Sequence, residues 1–495
     1  MSSYTRLTFF LSLLILITPN RLDGQNWDKI NSANYIKYVV SYADAMVEHG
    51  RDSYGKEHSP LFASALNRKT FNLGSKEEFG TIPGVRETDR SVGGANPLVD
   101  LELYKILYRL TDLTGDKVYA GEADKALTFF FTHCQSPNTG LMCWGEHLYW
   151  DFYNETCGHA PNFDFHEADE WSLWDKSYEL APEACWNFAI GEWDNQIADK
   201  TSGDFSRHAQ WSVHGPKEGM DFPRYAGQMI ERWADAYIRK DNYGRERRDE
   251  LITAISVIIR RMEENMKTHS GFLLAYRGAD YVWPASNLEL ARCLMESAPK
   301  LKNELAVRMK KLAIQQDINF LKSPHCLDSI GGGFAVTLNS ETGKPRSRSM
   351  NKPYTATWDA GYGYETHASI ANLCYRRYCQ LILGYPEISS QYKKIILLAA
   401  ERYLTSIPDS SLLLKPISFA QVIELMLNSY EMTKDLKYLG KADYFGKLGV
   451  DLFFDSNSPL PRASNKNIHY ESITGGPKFI NSLLDLHLAL NKIKK

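Results

Sequence analysis

Two features that mark common classes of protein are missing from this 495-residue sequence. None of its eight cysteines stands three residues from another, so the Cys-x-x-Cys spacing of closed, structural zinc sites is absent. Positive charge is not in excess either, because the formal net charge at pH 7 is -3. We therefore expect no nucleic-acid partner. An acidic partner stays open, since a local cluster of Arg and Lys creates a positive cleft on a nearly neutral protein.

Long hydrophobic runs are also scarce. The apolar run from Leu7 to Thr18 is too short to span a bilayer comfortably and is followed at once by polar residues. It is typical of a signal peptide, so we expect residues 1–24 to be removed, although no small-residue cleavage motif precedes Gln25. An uncleaved anchor is the alternative. With no other candidate membrane helix, we expect an exported protein, periplasmic or secreted, with no further contact with the membrane.

The cysteines fit an exported protein, because an oxidising compartment permits disulfides. We expect Cys143 and Cys157 to pair, since they flank the segment of His147 and a bridge would pin that loop. The alternative is that the cysteines are small, buried apolar residues.

Apolar residues recur at helical spacing over most of the chain. The expected helices are 26–46, 101–131, 226–238, 251–262, 288–297, 301–321, 368–382, 390–404, 419–432 and 478–490. Strand-like runs are few, and the best is 334–338. Long helices joined by loops favour stacked helical hairpins.

One internal repeat supports that arrangement. Residues 113–127 and 432–446 carry Asp, Tyr, Gly and Ala-Asp at corresponding places. A repeat near each end of the chain is what a closed ring of helix pairs predicts. A common helix-turn-helix solution, used twice, is the alternative.

The densest set of candidate catalytic residues lies between Leu141 and Gly227. It contains WGEH at 144–147, FHEADEW at 165–171 and DFSRH at 204–208. Two imidazoles and one carboxylate, from His147, Glu167 and His208, suit a borderline transition metal and leave positions open for substrate oxygens. The competing imidazoles are those of His133, His159, His166 and His214.

The order and spacing of these motifs resemble the periplasmic pectate lyases of polysaccharide lyase family 2, most closely over 141–227 and more weakly over 49–124. The resemblance implies that His147, Glu167 and His208 hold a divalent transition metal, with Mn²⁺ the first choice, and that Arg207 removes the substrate proton. It also implies an all-α chain, folded as a single α/α-toroid catalytic domain over 25–495 with a few short strands in loops. The loop at 151–170 and the region after Lys240 depart from the family, so pectate is only the default among uronate polymers.

The expected reaction is β-elimination beside a uronate, in which a base removes the C5 proton while a metal stabilises charge on the neighbouring carboxylate. An Arg base is chemically awkward, because a free guanidinium stays protonated at ordinary pH, and it needs a desolvated site next to another positive charge. In the alternative, Arg207 only binds the carboxylate, and the base is Lys217, Tyr225 or a metal-bound water.

Substrate contacts are expected from guanidinium groups and aromatic faces, because the first match a carboxylate with two hydrogen bonds and the second stack on sugar rings. The expected substrate-binding residues are Arg86, Arg90, Trp144, Trp211, Arg224, Arg346, Arg348 and Tyr364.

Two other functions fit the same sequence. A glycoside hydrolase on a similar toroid needs two carboxylates at the scissile bond, and several acidic residues offer them: Asp89, Glu146, Asp164, Glu167, Asp169 and Asp359. An exported glycan-binding protein without catalysis would bind but not turn over its ligand. The pairing of Arg207 and His208 with His147 favours the lyase, since a two-carboxylate mechanism does not need it.

Overall fold

A computed structural model describes residues 34–158, 165–166, 170–217, 219–239, 243–301, 304–328, 332–347, 352–358 and 365–493. In these ranges the chain is mostly helical. The helices are α1 (Tyr35–His49), α2 (Lys76–Phe79), α3 (Leu101–Thr114), α4 (Lys117–His133), α5 (Trp174–Leu180), α6 (Pro182–Asn195), α7 (Pro223–Ile238), α8 (Arg248–Glu264), α9 (Pro284–Ser297), α10 (Glu304–Leu321), α11 (His367–Leu381), α12 (Pro386–Thr405), α13 (Pro416–Thr433), α14 (Leu436–Phe453) and α15 (Gly476–Ile493).

The strands are short and lie in the connecting loops. They are β1 (Ala65–Leu66), β2 (Gly94–Ala95), β3 (Tyr149–Asp151), β4 (Thr156–Gly158), β5 (Ile197–Asp199), β6 (Asp204–Phe205), β7 (Tyr281–Val282), β8 (Leu338–Asn339) and β9 (Tyr470–Glu471). They pair antiparallel as β1-β9, β2-β3-β4, β5-β6 and β7-β8. No helix within the described ranges is long and apolar enough to cross a membrane.

The helices form a closed ring. Helices α7, α9, α11, α13 and α15 pack against one another in that order, and α15 then packs against α3 and α1, which joins the two ends of the chain. The inner helices α3, α7, α9, α11, α13 and α15 line a central cavity, to which α4, α8, α10, α12 and α14 contribute no residue. The expectation of an all-α fold, an α/α toroid of helical hairpins, is confirmed.

The sequence repeat corresponds to two equivalent hairpin turns, one between α3 and α4 and one between α13 and α14. Asp116 and Asp435 are the N-caps of the outer helices, and each carboxylate accepts from the backbone N–H two residues on, at 2.9 and 3.0 Å. Thr114 and Thr433 each donate to the carbonyl four residues earlier, at 2.7 Å. The repeat therefore marks how an inner helix ends and its outer partner begins.

The predicted helices differ from the structure in several places, and α2, α5 and α6 have no counterpart among them. The predicted helix at 101–131 is two helices, because Gly115 takes the left-handed conformation at φ 76° and ends α3. The part of 26–46 before residue 34 lies outside the described residues. Helix α14 was not among the predicted helices because its glycines lower helix propensity. A Cβ at Gly449 would lie 2.5 Å from Phe479, so this glycine allows α14 to approach α15 closely.

The predicted strand at 334–338 is right only in part. Ala335 forms an isolated bridge with Tyr354, and Leu338 begins β8.

Candidate active site

Three imidazoles meet beside the central cavity. The ring centroid of His147 lies 5.5 Å from that of His166 and 5.9 Å from that of His208. The centroids of His166 and His208 are 4.7 Å apart. One ring nitrogen of each lies within 4.8 Å of the others. The structure thus brings together the two histidines that the sequence selects, and adds His166, which the sequence analysis names only as a competitor.

Backbone pairing holds the three histidine segments side by side. Gly145 bridges to His166, and Phe165 bridges to Ala209 with N–H···O distances of 2.7 and 3.1 Å. Gly145 adopts φ 108°, a conformation that favours glycine, so the chain turns sharply into the histidine segment. The side chains at 147, 166 and 208 are therefore fixed from three different loops.

A disulfide closes the loop that carries His147. Cys143 and Cys157 are bonded with their Cα atoms 5.6 Å apart, which confirms the predicted pair. The loop contains the β3–β4 hairpin, and β3 also pairs with β2. A Cβ at Gly94 of β2 would lie 1.8 Å from the carbonyl oxygen of Trp150, so only glycine fits there.

A buried carboxylate orients His147. Asp89 Oδ1 lies 3.3 Å from His147 Nδ1, and the other oxygen of Asp89 accepts from Arg86 Nε at 2.8 Å. Thr88 adds a hydroxyl donor to Asp89 at 3.0 Å. A carboxylate on one imidazole nitrogen fixes the ring and leaves the other nitrogen for a ligand, which is the usual support of a metal-bound histidine.

His166 is engaged at both ring nitrogens. Its Nδ1 contacts Glu146 Oε2, and its Nε2 lies 2.5 Å from the hydroxyl of Tyr225. Burial lowers the pKa of His166 to about 3, against the opposing effect of Glu146. Burial alone would raise the pKa of Glu146, but the contact with His166 and the charge of Arg86 outweigh it and hold that pKa well below its usual range. His166 therefore supports the cluster as a neutral ring.

The donor set fits a divalent transition metal. His147 and His208 are imidazoles at a mutual spacing that one ion can bridge, and only 15% of the His147 side chain is exposed. His166 already contacts Glu146 and Tyr225, so it suits a supporting role better than a ligand role. Glu167, the predicted carboxylate ligand, lies outside the described residues. The metal site stays a prediction.

Arg207 lies directly before His208 and is partly buried. Its guanidinium carbon stands 5.0 Å over the ring of Phe222. Among the residues that the structure describes, no carboxylate lies within ion-pair distance of it, whereas most other half-buried arginines of the chain are paired. Arg207 is therefore a cation beside three imidazoles that an acidic ligand would satisfy.

The cavity next to this cluster has a volume of about 790 Å³. Asp89, Glu146 and Arg224 belong to its wall, so the support of the histidine cluster is continuous with the cavity surface. A volume of this size accommodates several sugar rings.

Arg224, a predicted substrate-binding residue, lies on this wall. Its guanidinium stands about 5 Å over the rings of Tyr225 and Trp283, and the indole of Trp283 donates to Glu365. Burial raises the pKa of Glu365 to about 7, although the indole hydrogen bond and Arg224 oppose the shift. The cavity thus carries an arginine on an aromatic platform beside a carboxyl group that titrates near neutrality.

Two predicted substrate-binding residues are placed elsewhere. The Arg90 side chain is fully buried and pairs with Glu471 at 2.7 Å, so it cannot reach a ligand in the cavity. Trp144 is also fully buried, packed against Phe130 and Trp171. Both predictions are corrected: a charge in a glycine-rich loop and a tryptophan three residues before His147 look exposed in sequence, but the fold turns both inward.

The remaining predicted residues have mixed placements. Arg86 contacts Asp89 and Glu146, the two carboxylates that hold His147 and His166. It therefore helps to position the histidine cluster, with or without a contact to substrate. Arg346 pairs with Asp280 at 2.7 Å and is not part of the cavity wall. Trp211 is half-buried against the core. Arg348 and Tyr364 lie outside the described residues.

Several residues of the site and cavity were not singled out from the sequence. Glu365 and Lys415 come from loops 138 and 188 residues after Gly227, where the motif region ends, and neither belongs to a local pattern that signals a site. His166 could have been found from its place beside Glu167 in the HE pair.

The fold and site define a ring-shaped, mostly helical protein with a histidine cluster beside a central cavity. The family model described as periplasmic pectate lyase matches residues 85–230. The resemblance drawn from the motifs is therefore confirmed over a stretch that contains His147, Arg207 and His208. This match supports an enzyme that acts on sugars.

Solved structures with similar backbones include a D-mannose isomerase. It is 8% identical in sequence, the match covers 92% of this chain and 97% of that chain, and the TM-score is 0.48. An unsaturated glucuronyl hydrolase specific for heparin has 10% identity, 93% and 98% coverage, and a TM-score of 0.47. A possible GH105 family member from Salmonella enterica has 9% identity, 95% and 97% coverage, and a TM-score of 0.45. Likenesses of this size carry no argument about the reaction.

Proposed function

We propose that this protein is a metal-dependent polysaccharide lyase, which cleaves a uronate-containing polymer or oligomer, with pectate as the default substrate, by β-elimination. The observation that carries the proposal is Arg207, a cation without a carboxylate partner among the described residues, placed beside the His147–His166–His208 cluster. The family match over 85–230 supports it.

In the elimination, the C5–H bond and the C4–O bond of the glycosidic linkage break, and a C4–C5 double bond forms. Arg207 must first release a proton to solvent, and its neutral guanidine then receives the C5 proton. The electron pair of the C4–O bond leaves with the oxygen, which is protonated in turn. A divalent metal, held by His147, His208 and Glu167, would supply a Lewis acid for the uronate carboxylate. Asp89 keeps His147 oriented, and His166 fixes the ring of His208 by stacking.

The charge around Arg207 supports its role. Arg207 is half-buried, and the ring of Phe222 keeps water away from one face of its guanidinium group. This desolvation favours a direct contact with an anion. Arg224, on the cavity wall, offers a second guanidinium for a substrate carboxylate, held rigid by Tyr225 and Trp283.

One observation favours a second candidate, a glycoside hydrolase acting on uronyl oligosaccharides. Glu365 belongs to the cavity wall and has a pKa of about 7, as a general acid requires. The same carboxyl group suits the lyase as the donor of a proton to the leaving oxygen, so it does not separate the two reactions.

Mass spectrometry of the products from a uronate trimer separates them. An elimination gives one fragment that is lighter, by one water, than the saturated fragment of equal length, whereas a hydrolysis gives only saturated fragments. We expect the lighter, unsaturated fragment from the wild-type protein and no such fragment from Arg207→Ala. Arg245→Ala is the matched control, because Arg245 is exposed and lies away from the cavity wall. Saturated products alone would reject the lyase.

A further inference from the structure

Lys415 is a lysine at the wall of the central cavity. It is the N-cap residue of α13 and only 7% exposed. No hydrogen bond or ion pair of its ammonium group with any described residue is present, and no nearby charge contributes to its pKa, which burial lowers to about 8. Burial of an ammonium group destabilises the folded protein unless a negative charge or hydrogen-bond acceptors compensate the group.

Three other cations of the cavity wall pair with acidic neighbours. The described pairs are Lys105 with Glu102 at 2.8 Å, Arg376 with Glu170 at 2.6 Å, and Lys478 with Glu424 at 3.8 Å. Lys415 lacks such a neighbour, so the positive charge at its position is available to a ligand.

Neutral hydrogen-bonding groups of α11, its N-cap and α13 belong to the same cavity wall as Lys415. Thr366 of the α11 N-cap donates to Gln421 at 2.9 Å, and Asn372 donates to the Gln421 carbonyl at 2.9 Å. Asn428 continues this row by donating to Asn372 at 3.2 Å, and all four residues belong to the cavity wall. Hydroxyl and amide groups along the same wall as a cation match a sugar chain whose units carry hydroxyls and a carboxylate.

The N-terminus of α13 adds to the positive potential. Helix α13 has 18 residues, and Ile417 and Ser418 of its first turn belong to the cavity wall with Lys415. The positive end of the helix dipole therefore acts on the same ligand position as the ammonium group.

We propose that Lys415 binds the carboxylate of a uronate unit of the substrate, in a subsite built on α11 and α13 and separate from the histidine cluster. The inference rests on the proposed function for its ligand class. It goes beyond that function by naming a second place where acidic units of the chain are read, on helices that lie outside the matched stretch 85–230.

The test is calorimetric titration of a galacturonate trimer and of its neutral methyl ester into Arg207→Ala protein, a background chosen to suppress turnover. Lys415→Met in this background should weaken binding of the acidic trimer by about 10- to 100-fold, as expected for loss of a charge-assisted hydrogen bond. Binding of the ester should be unchanged. Lys437→Met, an equal change of net charge on the outer helix α14, should leave both affinities unchanged, and Lys415→Arg should keep most of the acidic affinity.

Thermal melting verifies the fold, and Lys415→Met should melt no lower than its parent because it removes a buried charge. Lys415→Gln serves if the methionine variant does not fold. The inference is overturned if the parent and the Lys415→Met variant bind the acidic trimer with equal affinity. It is also overturned if the variant binds the trimer and its methyl ester equally more weakly, or if the parent does not bind the trimer. Saturated products from the wild-type protein, together with the expected loss in Lys415→Met, would reject the lyase and keep the subsite.

Discussion

The imidazole of His166 stacks on that of His208, with ring centroids 4.7 Å apart and planes 19° from parallel. Glu146 and Tyr225 hold His166 at its two nitrogens, so the stack fixes the ring of His208 from behind. The cluster therefore divides into rings that suit ligation, those of His147 and His208, and a ring that supports them.

Replacement of each histidine should separate these roles. His147→Ala and His208→Ala should abolish metal retention and activity together, while His166→Ala should lower metal affinity by about 10- to 100-fold, the usual effect of losing a supporting residue. Metal content after dialysis and competition with a chelator measure this. His133→Ala, an exposed histidine stacked on Phe129, is the control. Full metal retention in His147→Ala would remove His147 from the ligand set.

Asp89→Asn should weaken metal binding through His147. The amide keeps the size of Asp89 but loses the charge that holds the His147 ring and pairs with Arg86. We expect metal affinity to fall about 10- to 100-fold, with activity restored at high metal concentration. An activity loss that excess metal does not restore would instead place Asp89 in the chemistry.

The Arg90–Glu471 pair should matter for stability rather than for substrate binding. Because both side chains are buried, removal of Arg90 leaves the Glu471 carboxylate with His469, at 2.8 Å, as its remaining described ion-pair partner, and Arg90→Met should lower the free energy of unfolding by up to about 5 kcal/mol. Urea unfolding measures this, and KM of the folded variant should not change. Arg224→Ala, on the cavity wall, should instead raise KM and leave the free energy of unfolding unchanged. A raised KM with unchanged stability in Arg90→Met would restore its predicted substrate role.

Asp100 should make stability depend on pH. Burial raises its pKa to about 7, although Ser472 and Ser64 donate hydrogen bonds to it. A carboxyl group whose folded pKa lies above its unfolded value, about 4, stabilises most below pH 4 and loses that contribution as the pH rises through 7. Asp100→Asn cannot ionise. Its unfolding free energy relative to wild type should therefore rise by up to about 3 kcal/mol between pH 5 and pH 8.

Denaturant melts at both pH values test this, with Asp249→Asn at an exposed aspartate as the control. A difference between variant and wild type that is the same at pH 5 and pH 8 would contradict the prediction.

The sequence was informative where local physics decides the structure. Helical periodicity predicted most helices, and the repeat at 113–127 and 432–446 predicted equivalent turns, because caps such as Asp116 and Asp435 act within a few residues. The Cys143–Cys157 pair was predicted because the two cysteines flank the segment of His147, and the bond is present.

What the sequence left out depends on contacts between distant segments. Arg90 looks like a surface charge until Glu471, 381 residues later, is placed beside it by ring closure. Lys415 and Glu365 become cavity residues only because α11 and α13 belong to the inner ring. Helix α14 has glycines that reduce its local signal, and two of them, Gly446 and Gly449, are explained only by the packing of α1 and α15 against the helix.

The most direct test of the lyase is the absorbance of the conjugated, unsaturated product during incubation of metal-loaded mature protein with polygalacturonate and other uronate polymers. We predict a rise in ultraviolet absorbance that a chelator abolishes. Arg207→Ala should lack this rise although its metal content is intact, and Arg245→Ala should keep it. New reducing ends without any rise in absorbance would contradict this prediction and indicate hydrolysis.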